Sequence, residues 1–291
     1  MEAFERYLGV QASPFLKWAG GKTQLLKTFD RHLPRSFGTY FEPFLGGGAV
    51  FFHLFGRGRL ERAVISDLNR DLIDCYLDVR DNLDSLLGQL HELQHHARDE
   101  DYYYRVARKK FNEVKRSGDE RERLEKSALL LYLNKTCFNG LYRVNRKGEF
   151  NVPWGNYKNP RIYDKGNLSA VSSVLNQPGI RILCRDYGSL EDEAKTGDSI
   201  YFDPPYQPLS KTAHFTSYTS ETFGVRDQER LAHLFKRLAD KGCYVMLSNS
   251  PGVRPLYEGR DYRIEIVKAA RAISSVGSKR GPIDELLITS Y

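Results

Sequence analysis

An α/β fold is the expectation for this chain, a core of strands and helices interrupted once by an inserted helical segment. Three observations carry it. Short apolar runs that read as strands alternate with amphipathic runs up to about residue 82. Between about Leu83 and Leu133 the alternation stops, and Arg, Lys, Glu and Gln fill a helical pattern with no strand signal. Strand-like runs then resume at Ile180. Alternation on both sides of a purely helical block is the pattern of one α/β core with an insertion. The expected core is 1–82 with 162–291, and the insertion is 83–161.

Taken in order, Thr39–Phe44 reads as a buried strand, Leu45–Gly48 as a turn and Ala49–Phe55 as a helix. Arg62–Asp67 is a second strand, and Asn69–Asn82 carries the 3.6-residue periodicity of a helix. A loop or hairpin dense in Gly, Asn, Pro and aromatics occupies 139–161. Ile180–Cys184 and Ser199–Asp203 are strands, Arg226–Asp240 a helix and Cys243–Ser248 a strand. Tyr262–Lys268 and Glu285–Ser290 would pair as an antiparallel edge.

Composition bounds the function classes. With 291 residues, 41% of them hydrophobic, the chain can bury a substantial core. No apolar run approaches the roughly 20 residues of a membrane-spanning helix. The start, Met1–Arg6, has neither the basic end nor the apolar stretch of a signal peptide. Cys75, Cys137, Cys184 and Cys243 are scattered without a Cys-x-x-Cys pair, so a reduced intracellular protein without structural zinc is expected. His91, His95 and His96 share a helical face without cysteine or paired acid, and read as solvated. A net charge of +7, from 44 basic and 37 acidic residues, hints at a polyanionic partner without identifying one.

The segment Ser199–Tyr206 ends a strand in Asp203, Pro204, Pro205 and Tyr206. Proline has no N–H and holds the preceding residue extended, so Asp203 cannot run on into a helix. A stiff loop at the carboxyl end of a strand is where open α/β sheets hold ligands. It offers a carboxylate, the Pro204 carbonyl and the Tyr206 ring, two acceptors and a stacking surface that suit the amine of a nucleobase.

Phe41–Gly48 joins a strand to a glycine turn, which lets backbone approach a ligand at a helix N-terminus. Its spacing is not the Gly-x-Gly-x-x-Gly of a dinucleotide site. Asp67 lies about 20 residues on, at the end of the second strand, where ribose hydroxyls are held in such folds. The alternative is that Asp67 caps the next helix, but its combination with the glycine turn favours the ribose. Gly21-Lys22-Thr23 imitates the end of a phosphate loop, but Leu16 stands where that loop needs glycine. Trp18 and Lys22 would instead frame a ligand with a ring and an ammonium.

Phe15–Lys22, Glu42–Gly48, Ser66–Asn69 and Asp203–Tyr206 occur in that order, and together they resemble the Dam-type (D12 class) DNA adenine-N6 methyltransferases. The similarity runs from about Phe15 to Tyr291. It implies a Rossmann-like core with a mixed seven-stranded sheet and an antiparallel edge, and makes 83–161 a target-recognition domain. It also implies methyl transfer from S-adenosyl-L-methionine to an adenine amine in double-stranded DNA, commonly within GATC. Asp203, Pro204 and Tyr206 would be catalytic. Trp18, Lys22, Phe44, Gly46, Gly48, Asp67 and Asp203 would form the cofactor site, with Asp186 and Tyr187 holding the cofactor adenine. No metal is implied. The setting would be the cytoplasm of a bacterial or phage-bearing cell, with the chain acting as a monomer.

The 139–161 segment has its own physical reading. Arg143, Arg146, Lys147, Lys158 and Arg161 face a single acid, Glu149, and Tyr142, Phe150, Trp154 and Tyr157 are interleaved. Cations neutralise phosphates, arginine pairs with guanine, and rings wedge between bases. A solvated loop explains such exposed-type aromatics poorly. By the resemblance, Arg143 contacts guanine, Leu141, Asn145 and Pro153 lie near the other bases, Tyr157 intercalates and Lys17 adds a first contact. Asn139 and Lys158 complete the DNA-binding set. Ala213–Thr219 is expected to close over a flipped base, and Ser274–Arg280 to bind phosphate. A protein glutamine methyltransferase, an RNA methyltransferase and a non-catalytic DNA-binding protein remain the alternatives, and labelled donor offered to DNA, RNA and protein would separate them.

Overall fold

The computed structural model describes residues 11–206, 223–270 and 282–291. Ala213–Thr219 and Ser274–Arg280 fall outside these. A seven-stranded sheet runs in the order β3-β2-β1-β4-β5-β7-β6, with β1 Tyr40–Glu42, β2 Ala63–Asp67, β3 Ile180–Cys184, β4 Ser199–Phe202, β5 Tyr244–Asn249, β6 Arg263–Ala270 and β7 Pro282–Thr289. The first five pair in parallel, whereas β7 runs antiparallel to both β5 and β6. The expected α/β core and its antiparallel edge are both present.

The central strands are buried because helices cover both faces. Residues of β1 and β4 are buried without exception, as expected of central parallel strands. Helices α1 (Ala49–Gly56), α2 (Arg70–Asp81) and α6 (Lys165–Leu175) belong to one buried cluster, and α7 (Val225–Asp240) belongs to a second on the other side. In α7 the buried residues Gln228, Leu231, Leu234, Phe235 and Leu238 form the stripe of an amphipathic helix. Helix α6 escapes the sequence reading because Gly166, three serines and two valines give it weak propensity; Asp164 starts it by accepting from Asn167 N–H.

The 83–161 segment supplies α3 (Leu83–Gln94), α4 (Arg108–Ser117) and α5 (Arg123–Thr136). Helix α5 is buried almost all round from Ser127 to Asn134, and one continuous core runs from α2 through the inserted helices to the hairpin. A charge network fastens the same seam. Asp71 pairs with Lys115 (2.8 Å) and Lys126 (3.3 Å), Asp74 with Lys126 (2.8 Å), and Asp78 with Arg123 (3.0 Å). These carboxylates are buried, so removing one partner would strand a charge in the interior.

Strand order reverses between β1 and β4. That switch point opens a crevice at the carboxyl ends of both strands. Glu42 and the glycine turn leave β1 there, and Asp203 leaves β4 beside them.

Candidate active site and reading surface

The glycine turn is held from several sides. Leu45 N–H donates to the Ser66 carbonyl (3.0 Å), and Gly48 N–H to that of Leu45 (2.7 Å). Gly46 has φ +49, and a Cβ there would lie 2.7 Å from the Trp18 ring, so only glycine fits. Asp67 spans the gap to β2, with one oxygen accepting from Gly46 N–H (3.0 Å) and the other from Asn69 N–H (2.9 Å). Burial pushes its carboxyl up, against those backbone donors. The cap of α2 is Asn69, whose side chain accepts from Leu72 N–H. Asp67 therefore ties the turn to the strand and is not the helix cap.

Lys22 and Asp203 meet at 2.7 Å at the switch point, and Lys22 is almost fully buried. Its ammonium also donates to the Gly20 carbonyl (2.6 Å) and lies 5.0 Å from the centre of the Tyr206 ring. Lys22 binds Oδ1 of Asp203, and no ion pair is seen to Oδ2 among the described residues. Burial pushes the Asp203 carboxyl up to about 6, against the pull of Lys22 and with help from Glu285. The Pro205 carbonyl is engaged by the Gln228 amide (3.2 Å), itself fixed by Asn249 (2.9 Å). Among the described residues no donor reaches the Pro204 carbonyl. The loop thus holds a carboxylate and, among the described residues, a carbonyl that accepts no hydrogen bond.

Two acids here escaped the sequence reading. Glu42, buried at the end of β1, accepts from the Tyr40 hydroxyl (2.8 Å), and burial raises it to about 8. Glu285 on β7 accepts from the Tyr206 hydroxyl (2.8 Å). An acid inside an apolar strand is the only signal that could have flagged either.

Asp186 and Tyr187 begin a 3-10 turn after β3. Asp186 accepts from Gly188 N–H and is clasped by Arg230, whose guanidinium lies 4.6 Å over the Tyr187 ring. The Arg230 contact holds the Asp186 carboxyl below its usual range despite partial burial. Phe44 packs on Tyr187 with ring centres 5.2 Å apart.

The 139–161 segment is a hairpin. Val144 bridges Phe150 and Cys137 bridges Trp154. Side chains alternate across it, and Tyr142, Val144, Phe150 and Val152 point into the core. This corrects the expectation of exposed aromatics, since the Tyr142 and Phe150 rings are structural. The Tyr142 hydroxyl donates to Asp71 (2.5 Å), and its ring stacks on Trp18 at 5.6 Å. Asn145 forms the tip, its side-chain oxygen accepting from the N–H groups of Lys147 and Glu149. Arg143 is aimed by Asn151, through both side chain (2.8 Å) and carbonyl (3.1 Å).

At the base of the hairpin, Asn134 accepts from Lys17 N–H (2.8 Å) and donates to the carbonyls of Lys17 (2.8 Å) and Gly140 (3.0 Å). This buried asparagine, also missed from sequence, joins the Lys17 segment to the hairpin. Lys17 lies 4.6 Å over the Tyr157 ring. Lys17, Asn139, Pro153 and Lys158 are exposed around it, and Leu141 is half-buried. Phe138 was not singled out from sequence, yet it is the exposed ring of this surface at 45%, while Tyr157 is half-buried. Among the described residues no group of three or more His, Cys, Asp or Glu could hold a metal ion, and no helix is long and apolar enough to cross a membrane.

A parallel sheet with an antiparallel edge, with a glycine turn and the Asp203–Tyr206 loop at its switch point, is the architecture of an α/β, Rossmann-like methyltransferase. Residues 18–273 match the family described as D12 class N6 adenine-specific DNA methyltransferase, and the chain belongs to that family. It is 44% identical to type II methyltransferase M.MjaIII of Methanocaldococcus jannaschii over 97% of this chain and 100% of the relative. It is 43% identical to M1.LlaDCHI of Lactococcus lactis subsp. cremoris (97% and 96% covered), and 34% identical to the DNA adenine methylase of Escherichia coli K12 (94% and 93%). The chain is thus an adenine-specific DNA methyltransferase acting on DNA.

Proposed function

We propose that this enzyme takes its methyl group from S-adenosyl-L-methionine and places it on N6 of an adenine flipped out of duplex DNA, within GATC, working as a monomer in the cytoplasm of a bacterial or phage-bearing cell. The observation that carries this reading is the acceptor loop: one Asp203 oxygen held by Lys22, and a Pro204 carbonyl that no described donor reaches.

The crevice suits the donor. Asp67 is fixed by two backbone N–H groups with lone pairs left for ribose hydroxyls, and Trp18, Gly46 and Gly48 form a close wall. Phe44 and Tyr187 offer apolar faces to an adenine ring, and Asp186 an acceptor for its amine. Bound there, S-adenosyl-L-methionine supplies a methyl group already activated on a sulfonium.

The chain's own part is to prepare the acceptor. Asp203 Oδ2 and the Pro204 carbonyl accept the two N6 hydrogens, drawing the nitrogen lone pair out of conjugation with the ring. Tyr206 stacks on the flipped base and offsets part of the few kcal/mol of unstacking. Because Asp203 titrates near 6, it is chiefly ionised at neutral pH and ready to accept. Alignment of amine and methyl then lets the N–C bond form as the C–S bond breaks, with the neutral thioether S-adenosyl-L-homocysteine as leaving group and the surplus N6 proton taken up by Asp203. On the reading surface Arg143 contacts guanine, Asn139, Leu141, Asn145 and Pro153 lie against the neighbouring bases, and Lys17 and Lys158 lie along the backbone. Tyr157 intercalates, and Phe138 joins it as the more exposed ring.

The test supplies labelled S-adenosyl-L-methionine with duplexes that carry GATC or single-base variants of it. Label should enter GATC alone and vanish in Asp203→Ala. Equal labelling of the variants would overturn the target assignment, and near-normal activity of Asp203→Ala would overturn the acceptor loop.

A further inference from the structure

The antiparallel edge reaches back into the reaction centre at one point. Glu285 lies in β7 between Asp284, which pairs outward with Lys268, and buried Leu286. It is itself buried, and its Oε2 receives the Tyr206 hydroxyl at 2.8 Å. The same oxygen is 4.0 Å from Lys22, the ammonium that holds Asp203. One carboxylate thus touches both the stacking ring and the cation of the acceptor loop.

We propose that Glu285 is a positioning residue for methyl transfer: it fixes the Tyr206 ring and shares Lys22 with Asp203, so that the ring and the accepting carboxylate are held as one unit. This rests on the acceptor-loop reading above. A purely structural acid would have no need of this place, because burying a carboxylate against another is costly. Two negative charges share one cation, and a hydroxyl satisfies the second of them.

The surroundings define what each partner feels. Lys22 comes from the N-terminal segment, Glu42 and Tyr40 from β1, Tyr201 from β4, and Tyr206 from the loop, and each bears on Asp203 or is influenced by it. Across the edge, Glu285 faces Val267 of β6, and the next acid on that strand, Glu265, is turned to His32. Of the carboxylates named, Glu285 is the one bonded directly to Tyr206.

Two near-isosteric variants separate its two contacts. Tyr206→Phe keeps the charge of Glu285 and loses the anchor, whereas Glu285→Gln keeps an acceptor for the hydroxyl and loses the charge. Single-turnover methylation of duplex DNA is measured across pH 5–9, with thermal melts alongside. Tyr206→Phe should slow the plateau rate roughly tenfold, the worth of a hydrogen bond to a charged group, with the acidic limb in place. Glu285→Gln should keep most of the plateau rate and move the acidic limb to lower pH, since a charge opposing Asp203 ionisation is gone. Glu285→Ala should show both effects, and adding Tyr206→Phe to it should slow the enzyme no further.

An unmoved acidic limb in Glu285→Gln, or fully additive losses in the double variant, would overturn the proposal. Should Glu285→Ala fold poorly, the two isosteric variants decide the matter alone. Neither result touches the acceptor loop, which stands or falls on Asp203→Ala.

Discussion

Replacing Asp203 by asparagine should make the protein more stable and nearly inactive at once. The carboxyl titrates at about 6 in the folded chain against a reference of 3.8, because burial outweighs the pull of Lys22. An acid whose folded value is raised weakens the fold when ionised. Below pH 3.8 both states hold the proton and the group contributes nothing. Between 3.8 and about 6 the unfolded chain ionises first, so stability drains away as pH rises; above about 6 the deficit is constant. A shift of some two units is worth about 3 kcal/mol. Asparagine imitates the protonated carboxyl, and Lys22 retains Glu285 at 4.0 Å. For a chain of this size the gain corresponds to a rise of roughly 5–10 °C in melting temperature. The assay is a pair of thermal melts, wild type and Asp203→Asn, at pH 7.5 and stepped down toward pH 4.5. The variant should melt higher at pH 7.5, and the gap should shrink below pH 6. Methyl transfer should fall roughly 10²–10³-fold, the scale of losing one preorganised group aimed at developing charge. A variant that melts at or below wild type at pH 7.5, or a gap that ignores pH, would refute the reasoning. The charge at Asp203 would then be stabilised by its setting and not merely kept for chemistry.

Arg143→Ala should relax discrimination at one guanine by about 1–3 kcal/mol, read as competing methylation of single-base variants, and Asn151→Ala should do the same more weakly by loosening its aim. Asn134→Ala removes three hydrogen bonds at the base of the hairpin and should cost about 3 kcal/mol in a denaturant melt, with a raised KM for DNA. Gly46→Ala places a methyl against Trp18 at a positive φ and should weaken donor binding by calorimetry while leaving DNA binding intact. Phe138→Ala should reduce the fluorescence rise of a flipped 2-aminopurine more than Tyr157→Ala, because Phe138 is the more exposed ring.

Those residues differ sharply in how far the sequence disclosed them. Asp203, Pro204 and Tyr206 were legible because two prolines after an acid dictate backbone geometry whatever surrounds them. The Gly46 turn and Asp67 were legible for a similar reason, since a strand, a turn and an acid at fixed spacing constrain one another locally. Helix α6 was lost because its stability comes from burying Leu168, Val171, Val174 and Leu175, and not from propensity. Tyr142 and Phe150 looked like reading rings because composition does not reveal which side of a hairpin faces the core. Their alternation with Arg143 and Asn151 did hold that information, as period-two segregation. Glu42, Asn134 and Glu285 form a third group, whose roles depend on burial and on partners that their local sequence does not name. A buried polar group must be satisfied somewhere, so each such residue in an apolar run predicts a partner without naming it. In this enzyme the partners converge on one place. Asn134 sets where the hairpin meets Lys17, the next residue, Trp18, closes over the glycine turn, and four residues further on Lys22 holds Asp203 with Glu285 4.0 Å away. On the proposed reading, the short stretch from Lys17 to Lys22 joins the DNA-reading surface, the wall of the donor site and the acceptor carboxylate in a single piece of chain, so that double variants pairing Asn134→Ala with Gly46→Ala test whether the seating of one is felt at the other.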